Sequence, residues 1–152
     1  MGTRARVPAL GAEGWFTLDD REPALLGDRC LSCGSYVFPR AGTFCRNPRC
    51  AGTEFERVPL SRRGTVWSYT DAQYAPPSPY VAPADAHVPF CIAAVELAAE
   101  GLVVLGQVVA GVTVADLAVG TEVEVVLDPL FSDEDTDHLV WKWRPVAAGG
   151  VA

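Results

Sequence analysis

The sequence lacks a long apolar run. The stretch 102–119 comes closest to the roughly 18 residues that a membrane span requires, but two glycines and three polar residues interrupt it. The N-terminus also lacks the apolar core of a signal peptide. These absences predict a soluble, cytoplasmic protein with no membrane partner. Because the cytoplasm is reducing, the five cysteines favour a metal site over disulfides.

A complete catalytic set is also missing. The only histidines are His87 and His138, and there is no glycine-rich phosphate loop, Ser-His-Asp set or HExxH motif. The acidic run at 132–137 lacks the glycine and the last glutamate of a calcium-binding EF-hand, so we interpret it as a solvated hairpin turn. Cys91 lies in an apolar run and is interpreted as a buried small hydrophobe. The sequence therefore indicates a chain that is not catalytic alone.

Positive charge is scarce as well. Lysine and arginine together number 12 against 19 acidic residues, which gives a formal net charge of −7. An acidic chain repels a phosphate backbone, so no nucleic-acid partner is expected. A nucleic-acid-binding module remains an alternative, because Trp67 and Tyr69 fall on one side of a predicted strand, where aromatic rings stack on bases.

Four of the five cysteines are concentrated in one short segment. Two residues separate Cys30 from Cys33, eleven follow, and four separate Cys45 from Cys50. Two such pairs present four thiolates to one tetrahedral ion, which suits a structural zinc ion. An iron site in a rubredoxin-like electron carrier, or a disulfide arrangement, remains an alternative. The backbone of Gly34 is expected to adopt the left-handed conformation. Metal binding should supply most of the folding free energy of this short segment.

Five β-rich segments follow the cysteines. They lie at 64–70, 90–97, 102–109, 123–127 and 139–146. Thr113 is a candidate N-cap and Gly120 a candidate residue just past a helix, which predicts a short helix between the third and fourth segments. Five strands in this order predict an OB-fold barrel.

The predicted fold class is mainly β, with an N-terminal segment and a rubredoxin-like zinc ribbon before a five-stranded OB-fold barrel. The predicted divisions are a loose or partly ordered leader with a short helical docking segment (1–28), the ribbon (29–60), the barrel (61–146) and a flexible tail (147–152).

Aromatic residues outside the predicted strands are candidates for partner contact. Trp15 and Phe16 lie in the leader, where packing on the core is the alternative. Tyr74 and Tyr80 lie in the link 71–89, which contains five prolines. Loops of this length in compact domains are usually functional or disordered, and buried aromatics usually lead protein interfaces.

The order of these motifs resembles a family of zinc-ribbon and OB-fold proteins, with a domain of unknown function, that accompany thiolase-like enzymes of acyl-CoA chemistry. The second cysteine pair departs from the family pattern, which has two residues between the cysteines instead of four. The matching segments are LGDRCLSCG (26–34), FPR (38–40), GTVWSYT (64–70), PFCIAAVEL (89–97), LAVGTEVEV (117–125) and WRP (143–145).

The resemblance implies an accessory, non-catalytic subunit of a thiolase-superfamily enzyme, in an α2β2 heterotetramer with the catalytic chain. It implies structural zinc as cofactor and acyl-CoA as a ligand of the complex. Arg40, Arg62 and Arg63 would then meet CoA phosphates, which suit guanidinium groups, although structural surface roles are an alternative. The first expected reaction is retro-aldol cleavage of a steroid side-chain CoA thioester. The alternative is a thiolase or acyltransferase acting on aromatic or polyketide-like substrates.

Overall fold

The structure is a computed structural model that describes residues 4–9, 14–19, 21–39, 42–73 and 89–146. Arg40, Tyr74, Tyr80, His87 and the tail 147–152 lie outside the described residues. No helix in the described ranges is long and apolar enough to cross a membrane.

Nine strands and one short helix make up the described chain. The strands are β1 (Ala5–Pro8), β2 (Leu26–Cys30), β3 (Tyr36–Val37), β4 (Phe55–Pro59), β5 (Arg63–Ala72), β6 (Phe90–Leu97), β7 (Leu102–Val108), β8 (Glu122–Ser132) and β9 (Thr136–Pro145). The helix is the 3₁₀ turn Val114–Asp116.

Strands β5 to β9 form a closed barrel. β5 pairs antiparallel with β6 and β8, β6 with β7, and β8 with β9, while β7 and β9 close the barrel as a parallel pair. This is the strand order of an OB fold. The mainly β fold class and the five-stranded barrel predicted from the sequence are therefore confirmed.

The barrel core consists of alternate residues of these strands. Along β6, Cys91, Ala93, Val95 and Leu97 are all at most 4% exposed, because successive side chains of a strand point to opposite faces. Trp143 of β9 is fully buried among them. The interpretation of Cys91 as a buried small residue is confirmed.

Strand β5 contains a bulge that the sequence pattern does not reveal. Its register with β6 shifts between Val66 and Ser68, so Trp67 is the extra residue. Trp67 is 61% exposed, whereas Tyr69 packs against the core. The expectation that Trp67 and Tyr69 share one face is therefore wrong, because a bulge changes the alternation of side chains beyond it.

The helix between β7 and β8 is a single 3₁₀ turn. The backbone N–H of Thr113 donates to the Asp116 carboxylate (2.9 Å), and the N–H of Asp116 donates to the Thr113 carbonyl (2.9 Å). The predicted N-cap is thus confirmed. The helix ends at Asp116 with Leu117 as its C-cap. Gly120, predicted to lie just past the helix, instead has a φ of +93° in the turn into β8.

The N-terminus adds a strand to the barrel. β1 pairs in parallel with the first half of β9, and the Arg4 guanidinium donates to the backbone carbonyls of Asp133 (2.7 Å) and Glu134 (2.9 Å). These two residues belong to the acidic turn between β8 and β9, which is the predicted hairpin. Of the two expectations for the leader, residues 4–9 agree with a partly ordered segment and not with a loose one.

The short helix expected within 1–28 is not found at 14–19 or 21–28. Phe16 and Leu25 instead form an isolated antiparallel bridge. The ribbon that follows is a three-stranded sheet in the order β3-β2-β4. Its first strand starts at Leu26, slightly before the predicted boundary.

Candidate metal centre and its aromatic support

Cys30, Cys33, Cys45 and Cys50 converge at the end of the ribbon. Their four sulfurs all lie within 4.8 Å of one another. The Sγ atoms of Cys30 and Cys50 are 3.8 Å apart and those of Cys33 and Cys45 are 3.7 Å apart. Zinc bound tetrahedrally at about 2.3 Å requires sulfurs about 3.8 Å apart. The arrangement therefore fits one zinc ion bound by four thiolates.

The first cysteine pair is held by a tight turn at the end of β2. The N–H of Gly34 donates to the Cys30 carbonyl (2.9 Å), and the N–H of Cys30 donates to the Ser35 carbonyl (2.9 Å). Gly34 has a φ of +77°, a conformation that costs least in glycine. The left-handed glycine predicted from the sequence is confirmed.

The second cysteine pair reaches the same point despite its longer spacer. The N–H of Cys50 donates to the Asn47 carbonyl (2.9 Å), which folds the four intervening residues into a turn. The N–H groups of Asn47 and Gly52 point at the sulfurs of Cys45 (3.4 Å) and Cys50 (3.3 Å). The C-x4-C spacing is therefore compatible with a tetrahedral site.

Hydrogen bonds to sulfur prepare part of the set for metal binding. The Ser35 hydroxyl, followed by the Ser35 backbone N–H, lowers the pKa of Cys33 to about 6. The backbone N–H groups of Cys33 and Ser32 also lower the pKa of Cys30. The backbone N–H of Asn47 also lowers the pKa of Cys45, but burial and the neighbouring thiols outweigh this bond and raise the pKa of Cys45 to about 11. Four neighbouring thiolates repel one another, so the four cysteines do not all lose their protons without a metal. A divalent cation offsets this repulsion.

Four aromatic rings connect the ribbon to the barrel. Trp15 contacts Phe38 of the ribbon (centroids 5.6 Å apart) and Trp141 of β9 (5.5 Å), and Phe38 also contacts Trp141 edge-on (5.8 Å). Phe16 lies 6.2 Å from Trp141. We call these four residues the aromatic junction. It fixes the metal-bearing ribbon against the barrel wall.

The junction changes the interpretation of the two leader aromatics. Phe16 is 5% exposed and belongs to the core, so a partner contact through its side chain is not supported and the alternative of core packing holds. Trp15 is half-buried. Phe38 and Trp141 were not predicted as members of this cluster, because they are distant in sequence and only the fold brings them together.

Arg62 and Arg63, both predicted to contact CoA phosphates, differ in their hydrogen bonds and exposure. The guanidinium of Arg62 donates to the backbone carbonyls of Pro23 (3.1 Å) and Arg21 (3.2 Å), which ties the leader to the barrel. Arg63 has a side chain that is 60% exposed and lies 3.6 Å from Glu122. Arg62 therefore has a structural role here, and Arg63 is the more accessible guanidinium.

Comparison with known proteins gives concordant matches. A family model described as the rubredoxin-like zinc ribbon domain of ChsH2 matches residues 20–56, and one described as the C-terminal OB-fold domain of ChsH2 matches residues 57–128. A DUF35 domain-containing scaffold protein of Methanocaldococcus jannaschii is 33% identical over 135 residues, which cover 87% of this chain and 88% of that protein.

Two benzoylsuccinyl-CoA thiolase subunits named BbsA are also similar. That of Geobacter metallireducens is 33% identical over 126 residues, covering 82% of this chain and 77% of the relative. That of Thauera aromatica is 51% identical over 53 residues, covering 35% of each chain.

Among solved structures, a chain of an Ltp2-ChsH2(DUF35) aldolase superposes with a TM-score of 0.60 at 26% identity. The match covers 80% of this chain and 84% of that one. With a near full-length relative and both domain models in the observed order, this chain belongs to the DUF35 family of zinc-ribbon and OB-fold proteins.

Proposed function

We propose that this chain is a non-catalytic accessory subunit of a thiolase-superfamily enzyme that acts on acyl-CoA thioesters. The observation that carries the proposal is the joined ribbon and barrel, held by the aromatic junction. Relatives described as a scaffold protein and as a thiolase subunit align with most of this chain. The catalytic residues would belong to the larger partner, which this chain orders in a complex of two small and two large subunits.

The reaction that we favour is retro-aldol cleavage of a steroid side-chain CoA thioester. The structural similarity to the Ltp2-ChsH2(DUF35) aldolase over four-fifths of the chain supports it. A second candidate is a thiolase or acyltransferase acting on aromatic substrates, which the 51% identity to a benzoylsuccinyl-CoA thiolase subunit favours. Both reactions use a CoA thioester, and both leave this chain in the same role.

Within this role, zinc is structural. The four sulfurs are all supplied by this chain, and a closed set of four thiolates leaves no open position for substrate. Acyl-CoA would contact the complex mainly through the partner. Arg63, and Arg40 outside the described residues, remain the proposed contacts for CoA phosphates, since the Arg62 guanidinium already binds two carbonyls.

The nucleic-acid alternative is weakened by the bulge in β5. Stacking along a strand needs neighbouring aromatic rings on one face, and Trp67 is exposed while Tyr69 packs on the core. The electron-carrier alternative requires iron among the four cysteines. A colourless purified protein with one zinc per chain would exclude it.

The test is co-expression of this chain with a thiolase-like protein from the same genome. Size-exclusion chromatography with light scattering should show one complex with the mass of two small and two large chains. The purified complex is then given a steroid side-chain CoA thioester and an aromatic succinyl-CoA thioester, and the preferred substrate separates the two reactions. If this chain does not associate with the thiolase-like protein, the accessory role is contradicted.

A further inference from the structure

Beside the short pairing that closes the barrel, β7 and β9 diverge and leave an opening in the barrel wall. The two strands pair only at Gln107–Lys142 and Val108–Trp143. The earlier part of β9 pairs with β1, up to Leu139. Residues 102–106 of β7 therefore pair with β6 on one side and have no strand on the other among the described residues.

The free edge of β7 is apolar, which is unusual for an exposed edge. Leu105 is 65% exposed and Val103 is 47% exposed. Proteins normally protect an exposed edge with charges, prolines or a covering segment, because its free N–H and C=O groups recruit another strand. Neither a charge nor a proline occurs between Leu102 and Val108.

A cavity of about 320 Å³ lies at the opening and is lined almost entirely by apolar groups, including Ile92, Leu105, Gly106, Val140 and Trp141. The indole Nε1 of Trp141 lies beneath Gly106 and has no hydrogen-bond acceptor among the described residues. The Nε1 of Trp143 lies equally close to Gly106 and is equally buried and without an acceptor among the described residues, so the two indole rings shield the barrel core behind the opening.

We propose that the β7 edge and this cavity receive an extended apolar segment of the thiolase-like catalytic subunit, which adds to the barrel as a strand. The inference rests on the proposed function for the identity of the partner. Strand addition accounts together for a β7 edge that no described strand covers, for the exposed Val103 and Leu105, and for the adjoining cavity.

Two other occupants fit the observations less well. A small ligand would fill the cavity but would leave the backbone edge and Val103 uncovered. A second copy of this chain would bring together two molecules that each carry a net charge of −7, which opposes association.

The test combines one edge variant with one control. Leu105→Lys places a charge on the edge, whereas Val119→Lys places the same charge on another exposed apolar residue, 71% exposed, in the turn before β8. Both variants should keep the zinc content and melting temperature of the wild type. Leu105→Lys should weaken binding to the thiolase-like subunit at least about tenfold, and Val119→Lys should not.

Hydrogen exchange distinguishes strand addition from side-chain contact alone. In the complex, alternate amides between residues 102 and 106 should exchange more slowly than in the isolated chain. The inference is overturned if the complex forms with these amides unprotected, if Leu105→Lys binds normally, or if the same amides are already protected in the isolated chain. Failure of the wild-type chain to bind the subunit would instead overturn the proposed function, and this inference with it.

Discussion

At the residue scale, Gly52 lies beside the metal site at a position that has no room for a larger side chain. A Cβ atom on Gly52 would lie 2.9 Å from the Cys30 sulfur and 2.9 Å from the Ser32 hydroxyl. Because Cys30 must keep its position to complete the tetrahedron, this neighbour has little freedom to move. Gly52 is therefore part of the metal site, although it contributes no ligand.

We expect Gly52→Ala to distort the cysteine cluster. The variant should lose roughly 1–3 kcal/mol of stability, the usual cost of forcing extra volume into a packed site, and should release zinc to a chelator faster than the wild type. The neighbouring exposed Thr53→Ala serves as the control and should behave like the wild type. Equal zinc release from the two variants would contradict this view of Gly52.

A second effect at this scale concerns Asp137. The Ser132 hydroxyl and then the Arg4 guanidinium (2.9 Å) lower the pKa of its carboxyl group. Because the folded pKa lies below the unfolded value of about 3.9, the interaction stabilises the attachment of β1 above that value. The stabilisation is lost as the pH falls through the lowered folded pKa.

Nuclear magnetic resonance signals of Ala5–Pro8 should accordingly shift as the pH is lowered below about 3.9, with a midpoint under that value. In Asp137→Asn the same titration should be absent. A titration that persists unchanged in this variant would show that another group holds β1 in place.

At the element scale, β7 and β9 meet through two tryptophans and one glycine. A Cβ on Gly106 would lie 2.7 Å from the Nε1 atoms of both Trp141 and Trp143. Both rings are held by the core or the aromatic junction, so neither can move without disturbing its other contacts. The barrel can close around these two large residues because β7 has no side chain at this point.

Gly106→Ala should therefore destabilise the chain by roughly 1–3 kcal/mol, measured by denaturant unfolding. Val103→Ala on the same strand removes exposed surface only and should stay within about 0.5 kcal/mol of the wild type. A fully stable Gly106→Ala variant would mean that the two indoles have room to adjust.

The cysteine set and the barrel strands could be predicted because the patterns that indicate them lie within short stretches of sequence. Four cysteines within a short segment, and apolar alternation bounded by glycine and proline, were enough for the metal set and the five barrel strands. The bulge at Trp67 was missed because one inserted residue leaves the composition of the strand unchanged. Strand β1 was missed because its partner lies about 130 residues away in β9, and short-range patterns carry no information on such pairing.

At the scale of the whole molecule, the ribbon and the barrel act together through the aromatic junction. Phe38 is the ribbon's contribution, and it contacts both Trp15 and Trp141. Aromatic pairs of this geometry contribute beyond the area that they bury. The zinc site thus stabilises a segment whose position relative to the barrel depends in part on Phe38, together with the core contacts of Tyr36 and Val58.

Phe38→Ala should uncouple the two parts. We expect a loss of about 2–4 kcal/mol in the unfolding of the chain and weaker assembly with the catalytic subunit, while zinc content stays at one per chain. Phe44→Ala, at a ribbon aromatic that is 63% exposed, is the matched control. If both variants assemble normally, the fixed position of the ribbon is not required for the complex.

The accessory role is tested most directly by measuring acyl-CoA turnover for the thiolase-like subunit alone, for this chain alone, and for the two together. Turnover should be high only for the complex, and this chain alone should show none. Turnover by the isolated chain, or full activity of the catalytic subunit without it, would contradict the role proposed for this protein.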